Sequence, residues 1–436
     1  VVMEVNKAML ELRRNGGGPV HINLITTYSR DFSVKELPHV KVMRRFQAWD
    51  ELPVLPEGRI GIYVGSHTHF SEKQNRAIDR FCATYDAVVI CDHTSGYYGK
   101  YKLLPTLVQL QSDITSPFPP LDLMVHIGEI SAASFNDTIP AKEVWRVSED
   151  GELRDPFKKL TTVFQMSEEM FFLHYGKDGC NRHVLIDECR ELFGEIYEQI
   201  PELPFCNIWT AMQLSSRLPK GALFHMGVSN TRRCWNMFQL PESVESACNV
   251  GCCGIDGCVS TLVGASLVNP DRLCYVVVGD LTFFYDLNSL GNHHIGTNLR
   301  VMLVNNGRGT EFRLGIHHCN VFGDDADKYM AAAGHFGNKS PLLVKHYAED
   351  LGFHYLSATT KEEFMTALSN FTNPQLSDHS MILEVFTDSK DESEALYLMS
   401  HIQSDAKGMV RSKLKDAVRN VAGEKGINAI KKILKK

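Results

Sequence analysis

Two short segments of the chain carry the oxygen atoms that a divalent cation would need. Gly279-Asp280-Leu281-Thr282 follows an apolar run at 274–278, and Asn305-Asn306-Gly307-Arg308-Gly309 follows another at 301–304. Uninterrupted apolar runs of this length read as parallel strands covered on both faces, and ligands of such sheets lie beyond the carboxyl ends of the strands. A carboxylate at one strand end, an amide oxygen at the next and a backbone carbonyl from the glycine-rich turn are hard ligands. They leave the other positions of an octahedral Mg²⁺ to phosphate oxygens and water. A helix predicted to start near Phe283 would aim its unpaired N–H groups and the positive end of its dipole at the same phosphates. The chemistry that these residues suit is the anchoring of a diphosphate through a metal ion.

Positioning those tips requires a parallel sheet, and the chain predicts two. From about residue 39 to 201, short apolar segments at 59–65, 87–91, Leu121–Ile127 and 143–147 alternate with helical patterns, which implies a parallel sheet with helices on both faces. One of those helices opens on Ser71 and Gln74, a capping box, with Ile78, Phe81 and Cys82 as its inward stripe. Another runs through Leu185, Cys189, Leu192, Phe193, Ile196 and Ile200. A second alternating block, from about 205 to 401, has strands predicted at Leu223–Met226, 273–278, 300–304 and Met381–Phe386. Ahead of both blocks, Val5, Met9 and Leu12 predict a helix, Gly16-Gly17-Gly18-Pro19 stops it, and Val20, Ile22 and Leu24 alternate like a strand. The fold class expected is α/β: two doubly wound parallel-sheet domains at 34–203 and 204–402, after a remnant of a third at 1–33 and before a basic helical tail at 403–436.

Bulk properties narrow the function. At roughly 150 residues per domain, 436 residues imply two or three domains. A net charge of −7 argues against a nucleic-acid protein, since neutralising phosphates needs a basic face. No apolar run approaches the ~18 residues of a membrane span. The twelve cysteines lack the spacing of a disulfide framework, which points to a reducing cytoplasm. The start, Val-Val-Met-Glu-Val, has neither an initiator Met nor a signal peptide and reads as a chain entered part-way. From about Ala406 the tail has Lys or Arg at ten positions against Asp416 and Glu424 and could touch an anionic membrane or partner; a solvated terminal helix is the commoner use of such a segment.

The pairing of Gly279-Asp280 with Asn305-Asn306 resembles the cofactor motif of thiamine-diphosphate-dependent enzymes. The family's usual third residue is Gly, where this chain has Leu281. Gly279-Asp280-Leu281-Thr282 running into Tyr285-Asp286-Leu287-Asn288-Ser289-Leu290 is similar to one branch, the menaquinone-pathway synthase. Gly18-Pro19-Val20-His21-Ile22-Asn23, Glu143-Val144-Trp145, Leu153-Arg154-Asp155-Pro156 and Gly254-Ile255-Asp256-Gly257 are similar to further parts of that branch. The resemblance implies thiamine diphosphate and Mg²⁺ as cofactors, with Asp280 and Asn306 as side-chain metal ligands and the carbonyl of Arg308 as a third. It places Ile255 as the wedge that bends the cofactor, with Ser229, Cys253, Gly254, Leu281 and Thr282 beside it and Arg233 gripping a substrate carboxylate. It also implies a homodimer or homotetramer, and a pyrimidine-binding domain, with the family's activating Glu, upstream of Val1. The implied reaction is decarboxylation of a 2-oxo acid with transfer of the carbanion equivalent to an acceptor.

Three cations of the branch are replaced here. The run Asn249-Val250-Gly251 has Val250 where the branch has Arg, and Ser134 and Phe135 stand where it has a Lys-Arg pair. At roughly 1.5–3 kcal/mol for each charged hydrogen bond, that loss amounts to orders of magnitude in affinity for polyanionic substrates. The expectation is therefore a related enzyme with a different oxo acid or acceptor; the alternatives are the synthase itself, or a non-catalytic scaffold that binds the cofactor. Other motifs carry less. Cys248, Cys252, Cys253 and Cys258 lack the paired clamps of a zinc site. His293-His294 and His317-His318 could move protons but are more often structural. No Gly-x-Gly-x-x-Gly follows a strand, so NAD and FAD gain no support.

Overall fold

A computed structural model describes residues 1–405 except 27, 29, 31–32, 34, 37–38, 115–117, 130–138, 252, 316 and 329–339, and, for their backbone only, 318, 324 and 326–328. By contact, the chain divides into two units, one from Val1–Cys91, Tyr97–Leu103 and Phe118–Cys189, the other from Asp92–Gly96, Leu104–Pro117 and Arg190–Lys436. Each is built on one all-parallel sheet, so the α/β class with two parallel-sheet domains holds. No helix among the described residues is long and apolar enough to cross a membrane. The basic tail beyond 405, together with Ser134, Phe135 and Cys252, lies outside the described residues.

The first unit opens with α1 (Val2–Glu11), which Glu11 ties to Arg45 at 2.6 Å. The strand expected at Val20, Ile22 and Leu24 is not formed: the segment has no regular structure, and Leu24 and Ile25 are exposed. Alternation alone does not make a strand, because its backbone groups need a partner, and no described strand pairs with it. The sheet comprises β1 (Arg44–Gln47), β2 (Ile60–Val64), β3 (Val88–Ile90), β4 (Lys102–Leu103), β5 (Leu121–Ile127), β6 (Ala141–Ser148) and β7 (Leu160–Gln165), in the order β1-β7-β6-β5-β2-β3-β4. Between β2 and β3 runs α2 (Glu72–Tyr85), capped as the sequence predicts: the Ser71 hydroxyl accepts from the Gln74 N–H at 3.3 Å, and the Gln74 side chain accepts from the Ser71 N–H at 2.9 Å. Ile78, Phe81 and Cys82 are its buried stripe.

The chain reverses direction across this first sheet between β2 and β5, where a doubly wound sheet usually leaves a ligand crevice. Here the backbone closes it. Ser66 N–H donates to Glu129 O at 2.6 Å, Glu129 N–H donates to Ser66 O at 2.9 Å, and a Cβ on Gly65 would fall 2.2 Å from Glu129 O.

The second unit takes in α3 (Thr106–Leu110). Two helices follow: α4 (Glu168–Tyr175), which belongs to the first unit, and α5 (Val184–Glu198), within which the division falls. The second sheet orders β8 (Leu223–Met226), β9 (Glu245–Cys248), β10 (Cys274–Gly279), β11 (Leu299–Asn305), β12 (His354–Ala358) and β13 (Met381–Phe386) as β12-β13-β11-β10-β8-β9. Its helices are α6 (Asn207–Leu214), α7 (Asn230–Trp235), α8 (Cys258–Val268), α9 (Asp280–Tyr285), α10 (Leu343–Asp350), α11 (Lys361–Phe371) and α12 (Ser389–Ser400). Val276, Val278, Val301, Leu303 and Ile382 pack on one face against Val259, Leu262 and Val263 of α8 and Phe283 of α9. Each such side chain taken fully out of water contributes about 1.5–3 kcal/mol, which fixes the strand register and therefore the tips. The chain reverses between β8 and β10, because β9 lies outside β8 and the next strand returns to its other side. In this sheet no backbone bridge like that of the first is found among the described residues at the reversal.

Candidate functional site

The proposed ligands come from adjacent strand ends. In the parallel pair β10–β11, Gly279 is in register with Val304, so Asp280 is one residue and Asn306 two residues past that line, on strands about 4.8 Å apart. Asp280 is only 2% exposed, and its Oδ1 accepts its neighbour Leu281 N–H at 2.8 Å. The helix begins at Asp280, not near Phe283: Gly279 is its N-cap, and β10 runs into α9 without a loop. The Gly-Asp step supplies the turn, and the carboxylate occupies the first helical turn, where negative charge is favoured. Leu281 and Thr282 are buried within this turn. Asp286, which ends α9, reaches across to accept the Ser260 N–H in the first turn of α8 at 2.7 Å.

The second tip is shaped by a glycine. Gly307 has φ +80°, a conformation that side chains rarely adopt, and its N–H donates to Asn305 Oδ1 at 3.3 Å. Asn305 is buried and donates its amide to Glu384 at 2.7 Å. Asn306 presents a buried Oδ1 with no hydrogen-bond partner among the described residues. A buried amide oxygen left unmatched costs about 1–3 kcal/mol, and a hard cation beside it would remove that cost. Arg308, whose carbonyl is the expected third ligand, is half-buried on the same turn. Among the described residues, no three His, Cys, Asp or Glu side chains converge as a metal cluster. The donor set expected from the sequence is instead one carboxylate, one amide and a backbone carbonyl, which would suit an oxygen-seeking ion.

On the other side of the reversal, Ser229 follows β8 with φ +61° and ψ −118° and caps α7. A non-glycine residue held there stores strain, a feature that concentrates at ligand sites. Cys253 is exposed at φ +53°, and Gly254 and Ile255 are half-exposed. A Cβ on Gly254 would lie 2.9 Å from Asp256 Oδ1. The loop that carries Ile255 is held by Asn249, which donates to Gly257 O at 3.1 Å and to Thr261 Oγ1 at 3.0 Å. Val250, where the branch has Arg, is buried.

Arg233, expected to grip a substrate carboxylate, is already gripped. Its two terminal nitrogens donate to the two oxygens of Glu311 at 2.9 and 2.7 Å, and both side chains are mostly buried. The guanidinium is held above its ordinary pKa: burial works against the charge and is outweighed by the Glu311 carboxylate. Glu311 lies five residues after Asn306, and no pattern in the sequence ties it to Arg233. Glu392 was equally hidden. It is 1% exposed, accepts the Asn207 N–H and the Thr387 hydroxyl, each at 2.9 Å, and burial pushes its pKa up to about 7. His293 and His294 are exposed past the end of α9. His317 is half-buried and packs edge-on against Phe312.

No family model matches the chain. Curated relatives do. A Bacteroides thetaiotaomicron protein named 2-succinyl-5-enolpyruvyl-6-hydroxy-3-cyclohexene-1-carboxylate synthase is 28% identical over 420 residues, 90% of this chain and 72% of the relative. A Bacteroides fragilis protein of the same name is 29% identical over 425 residues, with the same coverage. One from Christiangramia forsetii, again so named, is 33% identical over 199 residues, 46% of this chain and 33% of the relative. Along most of its length the chain is thus similar to proteins named 2-succinyl-5-enolpyruvyl-6-hydroxy-3-cyclohexene-1-carboxylate synthase, the branch that its two strand-tip motifs resemble.

Proposed function

We propose that this protein is a thiamine-diphosphate-dependent enzyme that joins a 2-oxo acid, after loss of CO₂, to an acceptor, and that the synthase reaction named for its relatives is the reading best supported. The observation that carries it is the pairing of Asp280 and Asn306 at neighbouring strand ends, with a buried amide oxygen awaiting a partner. Asp280, Asn306 and the Arg308 carbonyl would hold Mg²⁺, and with it the diphosphate. Ser229, Cys253, Gly254 and Thr282 would flank that group, and Ile255 would set its bend. When bound, thiamine diphosphate supplies the electron sink for the decarboxylation. The chain's part is to hold and orient. A homodimer or homotetramer in the cytoplasm completes the proposal, as the resemblance implies. Thermal stabilisation of the full-length protein by thiamine diphosphate with Mg²⁺ tests the cofactor; turnover with isochorismate and 2-oxoglutarate tests the reaction. No saturable stabilisation would refute the first, and stabilisation without turnover the second.

A specific contact favours a second reading, a shifted substrate. The carboxylate of Glu311 accepts from each of the two terminal nitrogens of Arg233, and Val250 stands where the branch has a cation. A substrate carboxylate would have to compete with Glu311 for the guanidinium, and a donor or acceptor with fewer carboxylates would not. A panel of 2-oxo acids of differing charge separates the two: preference for pyruvate-like donors over 2-oxoglutarate supports the shift, and the reverse order removes it.

A further inference from the structure

The second sheet is apolar almost throughout, yet a carboxylate lies in its middle. Glu384 is 1% exposed on β13, flanked by Leu383 and Val385, which are both fully buried. Its Oε1 accepts Asn305 Nδ2 from β11 at 2.7 Å, and its Oε2 accepts the Tyr355 hydroxyl from β12 at 2.7 Å. Asn305 in turn accepts the Gly307 N–H with its Oδ1 at 3.3 Å. A polar line therefore crosses three adjacent strands, β12-β13-β11, and ends on the turn that carries Asn306 and Arg308. Burying a carboxylate in an apolar sheet is costly unless its oxygens are matched, and both are matched here, one by Asn305 and one by Tyr355. Sheet packing alone would be served by a leucine.

We infer that Tyr355, Glu384 and Asn305 are positioning residues that preset the 306–308 turn for its cation; the inference rests on the cofactor reading above. Fully satisfied buried networks fix one arrangement among several. This one fixes the turn from below, so that Asn306 Oδ1 need not be ordered when metal arrives. A glutamine at 384 keeps the shape but carries no charge: its oxygen can accept from Asn305 and its amide can donate to the Tyr355 oxygen, so both charged hydrogen bonds become weaker neutral ones and the Tyr355 hydroxyl must turn.

The test uses the full-length protein with thiamine diphosphate at fixed concentration and Mg²⁺ titrated, reading the melting temperature. In Glu384→Gln, the Mg²⁺ concentration at half-maximal stabilisation should rise by about tenfold, the equivalent of one charged hydrogen bond. Tyr355→Phe, which removes a single hydroxyl on an edge strand, should raise it by a smaller factor and serves if Glu384→Gln does not fold. Variants that lower the metal-free melting temperature but keep the wild-type Mg²⁺ midpoint would overturn the inference and leave a structural brace. A wild-type protein without any saturable Mg²⁺ effect would overturn the cofactor reading, and this inference with it.

Discussion

Glu392→Gln should change how stability depends on pH, with a sign opposite to that of an ordinary carboxylate. Glu392 is buried at the start of α12, with a pKa pushed up to about 7 by burial, against an ordinary 4.5. Between pH 4.5 and 7 the folded chain keeps a proton that the unfolded chain has released, so the wild type loses stability as pH rises through that window. The favourable difference is complete below pH 4.5 and gone above 7. At 1.36 kcal/mol for each pKa unit, the loss across the window is about 3 kcal/mol. Glutamine does not titrate, and its oxygen can still accept from the Asn207 N–H and the Thr387 hydroxyl that Glu392 binds. Urea unfolding of both proteins at pH 5, 6, 7 and 8, followed by tryptophan fluorescence, gives the stability difference directly. Trp235, fully buried and bonded to Asn207, reports on the same unit. The variant should gain on the wild type by about 2.5 kcal/mol between pH 5 and pH 8, since part of the difference is already lost at pH 5. A flat difference, or a wild type that gains stability with pH relative to the variant, would refute the argument that burial sets the proton affinity of this carboxyl.

Asp280→Ala removes the carboxylate from the first strand tip and should abolish stabilisation by thiamine diphosphate with Mg²⁺, a loss of about 2.7 kcal/mol at a hundred times the dissociation constant; calorimetry at fixed ligand concentration measures it. Leu303→Ala, at the centre of β11 and fully buried, should cost about 2–5 kcal/mol in urea unfolding. Ser71→Ala, which takes the hydroxyl from the N-cap of α2, should cost about 1 kcal/mol by the same assay. Glu311→Gln, by weakening the carboxylate on Arg233, should improve the relative use of dicarboxylic oxo acids in competition assays, since one charge competing for the guanidinium is gone.

The elements legible in the sequence were those whose burial writes a pattern. β10 and β11 are interior strands with continuous apolar stretches at 274–278 and 301–304, and the sequence places both within a residue or two of their observed ends. The capping box of α2 was legible because both its bonds are local. The strands that escaped notice are mostly edges: Arg44-Arg45-Phe46-Gln47 in β1, the two-residue β4, Glu245-Ser246-Ala247-Cys248 in β9 and β12 all border their sheets. An edge strand keeps one side open and so tolerates polar residues. Interior β7 was hidden by Thr161 and Thr162 among its apolar positions.

The site divides along the same line. Asp280, Asn306 and Ile255 sit in short local motifs that the sequence by itself singles out as site candidates, and the sequence by itself determined the α/β class. Their partners were beyond its reach: Glu311 meets Arg233 across 78 residues, Glu384 meets Asn305 across 79, and Glu392 meets Asn207 across 185. A single glutamate has no periodicity and no neighbouring signature, and its worth depends on the dielectric around it and on the donor it faces. Only the packing of strands and helices from distant parts of the chain supplied both, so tertiary structure alone decided which carboxylates are buried, which guanidinium is paired and that Glu384 meets Asn305 below the 306–308 turn.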